Sequence, residues 1–141
     1  MQLSEKRYGR VVWFGGVYDV IVNLPFALPG LVSAQLETLA KIQAWLGLAG
    51  EFPVFEPFQL LLLNVFGSVA TIWGILRIAK PDPILGLTDG AMRAVLAGLM
   101  LYYLVAWNVP QIVALFLVFE ILFGVAQLGG YWLYRQSQKG N

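Results

Sequence analysis

The chain contains no cysteine and no histidine. The first absence excludes disulfides, iron–sulfur ligation and a thiol nucleophile, and it leaves the redox compartment unreadable. The second removes the commonest metal ligand, the usual general base and the axial histidine of a haem site. A metal or hydrolytic centre would have to be built from carboxylates alone, and no cofactor is indicated. A Walker loop, a dinucleotide fingerprint, G-x-S-x-G and H-E-x-x-H are also missing. Charge is scarce too: 12% of the 141 residues are charged against 59% hydrophobic, with a net charge of +1. A water-soluble domain of this length could not enclose so many apolar side chains in one core. Nucleic acid is not an indicated partner; the lipid bilayer is.

What is present is a set of long apolar runs. About 20 apolar residues cover the roughly 30 Å of hydrocarbon in a bilayer as a helix, and four stretches meet that length, at about residues 11–28, 58–79, 91–107 and 111–134. The first holds Asp19, Asn23 and Pro25 and ends at Pro29-Gly30, which predicts a kinked or unwound outer end. Pro57 and Pro110 suit first helical turns, Thr88-Asp89 offers an N-cap for the third span, and Lys80-Pro-Asp-Pro83 with Gly86 supplies a short turn before it. Spans two and three are expected to form a hairpin. Residues 33–48 place Leu36, Leu39, Ile42, Trp45 and Leu46 at helical spacing with Glu37, Lys41 and Gln43 between them. Such a helix either lies in the membrane interface or packs on protein. The expected fold is therefore all-α: a polytopic membrane protein of one domain, with four transmembrane helices in an antiparallel bundle and a short amphipathic helix between the first and second.

Orientation follows from the basic residues. Lys6, Arg7 and Arg10 precede span one, Arg77, Lys80 and Arg93 flank the turn between spans two and three, and Arg135 and Lys139 follow span four. Of the nine basic residues only Lys41 falls on the other side, so both termini are expected in the cytoplasm. The run Lys6-Arg7…Arg10, apolar residues and Val32-Ser33-Ala34 imitates a secretory signal. Asp19 and Asn23 inside its apolar part argue instead for an anchor helix.

Helices in lipid associate through small residues and polar contacts. Ala70 with Gly74, Ala94 with Gly98 and Ala126 with Gly130 are candidate grooves on spans two to four. Ionisable groups at membrane depth cost on the order of 2.5 kcal/mol or more, so they face the bundle interior and find partners. At about 1.5 Å per residue, Asp19, Arg93 and Gln127 fall at one level and Asn23, Asn64 and Glu120 at a deeper one. Two readings follow. In one, Glu120 with Asn64 and Asn23 lines a polar cavity for a ligand or proton. In the other, Asp19 and Arg93 form an ion pair, Gln127 joins that polar cluster, and the remaining polar groups are interhelical hydrogen bonds. Glu120 has no basic residue within a turn in its own span, and an unpaired buried carboxylate is expected to be protonated.

Short helices with glycine-rich first and second spans, Arg93 opening span three and Glu120 within span four resemble the DoxX-like group of small bacterial membrane proteins. The segment at residues 33–48 is an addition to that pattern. The resemblance implies the bacterial inner membrane and, for some members, redox or oxidative-stress complexes. Three functions are expected to compete: a non-catalytic accessory or assembly subunit of a larger membrane complex, a binder or transporter of a lipophilic ligand such as a quinone or lipid around Glu120, and a carboxylate-only membrane enzyme such as an isomerase. Four spans leave little room for a pathway in one monomer, and no inverted repeat is visible. Partners would be other membrane subunits or further copies of the chain.

Overall fold

Each helix boundary has a local chemical cause. In the computed structural model, which describes residues 4–139, five helices follow one another: α1 (Glu5–Ala27), α2 (Val32–Trp45), α3 (Pro57–Ala79), α4 (Pro83–Ala106) and α5 (Val113–Lys139). Ser4 caps α1 by accepting from the Arg7 amide. The helix runs through Pro25 and stops at Leu28, whose extended backbone is what a following proline imposes. The expected unwinding does not reach into the helix, and one of its last carbonyls, that of Phe26, is satisfied by the Asn64 amide of α3 at 2.7 Å. Helix α2 turns away from α1 by 117° and closes on Gly47 at φ 67°, with Leu48 and Gly47 donating to the Gln43 and Ala44 carbonyls in a Schellman motif.

Helix α3 opens as expected on Pro57, reinforced by a capping box between Glu56 and Gln59. Helix α4 differs. It starts at Pro83, not near residue 91, because Asp82 accepts from the Ile84 amide at 2.8 Å and Pro83 occupies the first helical position. Thr88 and Asp89 therefore lie inside the helix and cap nothing. Pro110 also falls outside its helix: its carbonyl accepts from Val113 in a turn that precedes α5, and α5 itself continues past residue 134 to Lys139.

Helix α1 packs chiefly on α3 and α4 chiefly on α5, while α1 also touches α4 and α5. The expected hairpin of α3 and α4 is not a packed pair, since α1 takes the place against α3. Gly16 and Gly74 allow that approach: a Cβ on Gly16 would stand 2.7 Å from the Gly74 carbonyl oxygen, and one on Gly67 2.6 Å from the Phe26 backbone. Gly86 and Gly90 do the same for α4, against Tyr8 and Val12 and against Leu128. Of the expected small-residue grooves, Gly74 is at a contact, whereas Gly98 has nothing within 4 Å beyond its own surroundings in α4.

The molecule is apolar outside and polar inside. Ile21, Ile72 and Val105 are 68%, 66% and 80% exposed, while Asp19, Thr71, Arg77, Asp89, Arg93, Glu120 and Gln127 are buried. The buried positions repeat at three and four residues: Tyr8, Val12, Gly15, Gly16 and Asp19 on α1, Gly67, Thr71, Gly74 and Arg77 on α3, Gly86, Gly90 and Arg93 on α4, Glu120, Gly124 and Gln127 on α5. Helices α3, α4 and α5 are each long and apolar enough to cross a membrane; α1 and α2 meet that measure only together, across their bend. Three to four possible crossings under a coat of large apolar side chains are consistent with a multi-pass membrane protein.

At the end of the molecule away from the termini, Gln43 of α2 donates to the Gly50 carbonyl at 2.6 Å and accepts from the Ile112 amide at 3.0 Å, and Ala49 and Gln111 exchange two hydrogen bonds. Val32, Leu39 and Gln43 are the buried edge of α2, and Trp45 is largely exposed. On its outer face Lys41 donates to Glu37 at 2.8 Å, and that hydrogen bond holds the Glu37 carboxyl below its ordinary range.

Candidate functional site: a five-charge network

Four helices deliver ionisable side chains to one point. Arg77 lies near the end of α3, and because side chains tilt toward a helix's N-terminus it reaches back into the molecule. Asp89 and Arg93 sit one turn apart on α4, Asp19 on the buried stripe of α1 and Glu120 on that of α5. Arg77 donates to both Asp19 and Asp89. Arg93 donates through Nε to Asp89 at 2.9 Å, through Nη1 to Glu120 Oε2 at 2.9 Å and through Nη2 to Asp19 at 2.8 Å. Two planar guanidinium forks thus bridge three carboxylates, a geometry that lysine could not reproduce. Trp73 Nε1 completes Asp89 at 2.8 Å. Aromatic rings border the guanidinium groups, with Phe123 5.0 Å and Tyr18 5.8 Å from Arg93 and Trp73 5.7 Å from Arg77.

Tyr8 lies next to this network. Its hydroxyl donates to the Gln127 backbone carbonyl at 3.0 Å, and its ring packs against Tyr131 and Tyr134. The Gln127 side chain is fully buried, and among the described residues neither its Oε1 nor its Nε2 has a hydrogen-bond partner; Arg77 Nε is in the same condition. That amide borders the charges: a Cβ placed on Gly15 would be 2.7 Å from Gln127 Nε2, 3.2 Å from Arg77 Nη1 and 3.7 Å from Arg93 Nη2.

Of the residues expected to matter, Asp19, Arg93 and Glu120 meet in one network and Gln127 borders it. Glu120 is not unpaired, because Arg93 reaches it from a different helix, which an inspection of its own span could not reveal. Asn23 and Asn64 do not join it. Asn23 donates to the Asp19 carbonyl one turn back in α1 at 2.9 Å and Asn64 to the Phe26 carbonyl, and no hydrogen bond among the described residues links either amide to Glu120. The expected layer of Asn23, Asn64 and Glu120 is thereby corrected to a network of Asp19, Arg77, Asp89, Arg93 and Glu120. Basic flanks and capping signals alone place Arg77 and Asp89 at the turn. The signals that would have found them are the one-turn spacing of Asp89 and Arg93, and the alignment of Arg77 with Gly67, Thr71 and Gly74 on one face.

Chemically the network can fasten helices and hold a proton. Among the described residues no group of three acidic side chains is arranged to hold a metal ion. Comparison with protein-family models, with curated proteins and with solved structures finds no match to this chain.

Proposed function

We propose that the chain is a non-catalytic accessory or assembly subunit of a larger membrane complex, crossing the bilayer four times with α1, α3, α4 and α5 as an antiparallel bundle and α2 at its outer end. The observation that carries this reading is the closed ion network, in which all five charged groups find their partners within the chain. Charges so engaged lock helices into one module and leave the apolar outer faces as the surface offered to lipid or to another subunit. At 23 residues and about 1.5 Å per residue, α1 is long enough to cross, and Phe14, Ile21 and Leu24 on its outside are exposed.

The orientation with both termini in the cytoplasm rests on fewer residues than the sequence suggests, since Arg77 and Arg93 are buried in the network. Lys6, Arg7, Arg10, Lys80, Arg135 and Lys139 still oppose the single Lys41. The resemblance to DoxX-like proteins supports the bacterial inner membrane.

Native mass spectrometry of the tagged chain extracted from its own membrane tests the proposal. A heteromeric partner at fixed stoichiometry is the expected result. A monomer or homo-oligomer carrying only a co-purified quinone or lipid would overturn it in favour of a lipophile binder.

A further inference from the structure

The network has an odd charge count. Arg77 and Arg93 bring two positive charges, and Asp19, Asp89 and Glu120 bring three negative ones when all are ionised. One net negative charge buried among four helices is costly in a medium of low dielectric constant, and a single proton removes it. The hydrogen bonds identify which carboxylate would carry that proton. Asp89 is satisfied at both oxygens, Oδ1 by Trp73 and Oδ2 by Arg77 and Arg93. Asp19 is likewise held at Oδ1 by Arg93 and at Oδ2 by both arginines. Among the described residues Glu120 accepts a single hydrogen bond, from Arg93 at Oε2, and its Oε1 accepts none.

We propose that the network is a one-proton binding site and that the proton resides on Glu120, at Oε1. The groups facing it are Asp19 and Tyr18 from α1 and Asp89 and Arg93 from α4, while Arg77 from α3 is bonded to the two aspartates. Independent support comes from Gln127. Its fully buried amide, with donor and acceptor uncommitted among the described residues, borders the two guanidinium groups, and Arg77 Nε is uncommitted as well. The Tyr8 hydroxyl donates to the Gln127 backbone carbonyl, and Tyr131 and Tyr134, packed on Tyr8, line an open cavity of about 360 Å³ at the end bearing the termini. Protonation forms an O–H bond on Glu120 and leaves its Oε2 free to keep accepting from Arg93, so the helices stay fastened in both states.

Infrared spectroscopy of the full chain in phospholipid nanodiscs reads this directly. At neutral pH the wild type is expected to show the carbonyl band of an un-ionised carboxyl group, shifted in heavy water. Carbon-13 in the glutamate carboxyls should shift the band further, carbon-13 in the aspartate carboxyls should not, and Glu120→Gln should abolish it. Of the five glutamates only Glu120 is buried, Glu5, Glu37, Glu51 and Glu56 being exposed, and labelling leaves the chain unaltered, so the assignment does not depend on the variant folding. Absence of the band from the folded wild type, as expected if a metal cation balances the charge instead, would overturn the proposal. So would a band that follows the aspartate label or survives in folded E120Q.

Discussion

Arg93→Gln is expected to destabilise the folded chain by about 3–5 kcal/mol, the range for removing one partner of a buried ion pair. Arg93 is the hub of the network, bonded to Asp19, Asp89 and Glu120 on three helices, and it is almost wholly buried. Without it three carboxylates would share Arg77 alone, and the contact of α5 with the charges would be lost. Asp19→Asn should then cost less in an Arg93→Gln background than in the wild type, by roughly 0.5–3 kcal/mol, the usual coupling energy of residues in one network. Unfolding equilibria of the four proteins in a common bicelle preparation measure this difference. Strictly additive losses would refute the pairing. Replacement of the whole network by apolar groups of matching volume is a separate matter, because a buried ion cluster need not stabilise more than good packing does.

Gly16→Ala is the second change expected to have a large effect, about 1–3 kcal/mol as for other overpacked sites. Its new methyl group would meet the Gly74 carbonyl oxygen at 2.7 Å, and backbone cannot swing aside as a long side chain can. The helices would have to separate, which would also draw Asp19, three residues further along α1, away from Arg77. Gly98→Ala is the control, since a Cβ there finds no heavy atom within 4 Å. It should be neutral or stabilise slightly, by up to about 1 kcal/mol, as alanine replaces glycine in a helix. Equal losses for the two variants in the same unfolding assay would show that the α1–α3 crossing does not lie at Gly16.

Local signals carried the reading of the fold a long way. Apolar run length located α3 and α5 to within a few residues, and helical spacing located α2. The errors arose where two plausible signals competed. Thr88-Asp89 and Asp82-Pro83 both look like helix starts, and the second prevailed because an aspartate cap followed directly by proline satisfies the first turn with nothing left over. That choice moved Asp89 from a turn into the core. Arg77 has the sequence position of a flanking charge, near the end of an apolar run, yet it is fully buried. Glu120 has no basic neighbour in its own span because its partner is 27 residues away on another helix; tertiary contacts of that kind leave no periodic trace. Asn23 and Asn64 share only an expected depth with it, and depth does not fix the direction in which a side chain points around a helix.

The direct test of the five-charge network is a solid-state NMR dipolar recoupling experiment on the chain in lipid bilayers, with nitrogen-15 in the arginine guanidinium groups and carbon-13 in the aspartate side-chain carboxyls. The chain has three aspartates, of which Asp19 and Asp89 are bonded to arginine and Asp82 caps α4. The expected result is strong nitrogen–carbon coupling for two of the three carboxyl signals, one of which disappears when Asp19→Asn is measured while the Asp89 signal stays coupled. Coupling absent from all three aspartates in the folded, membrane-embedded chain would contradict the network and, with it, the account of how these helices hold together.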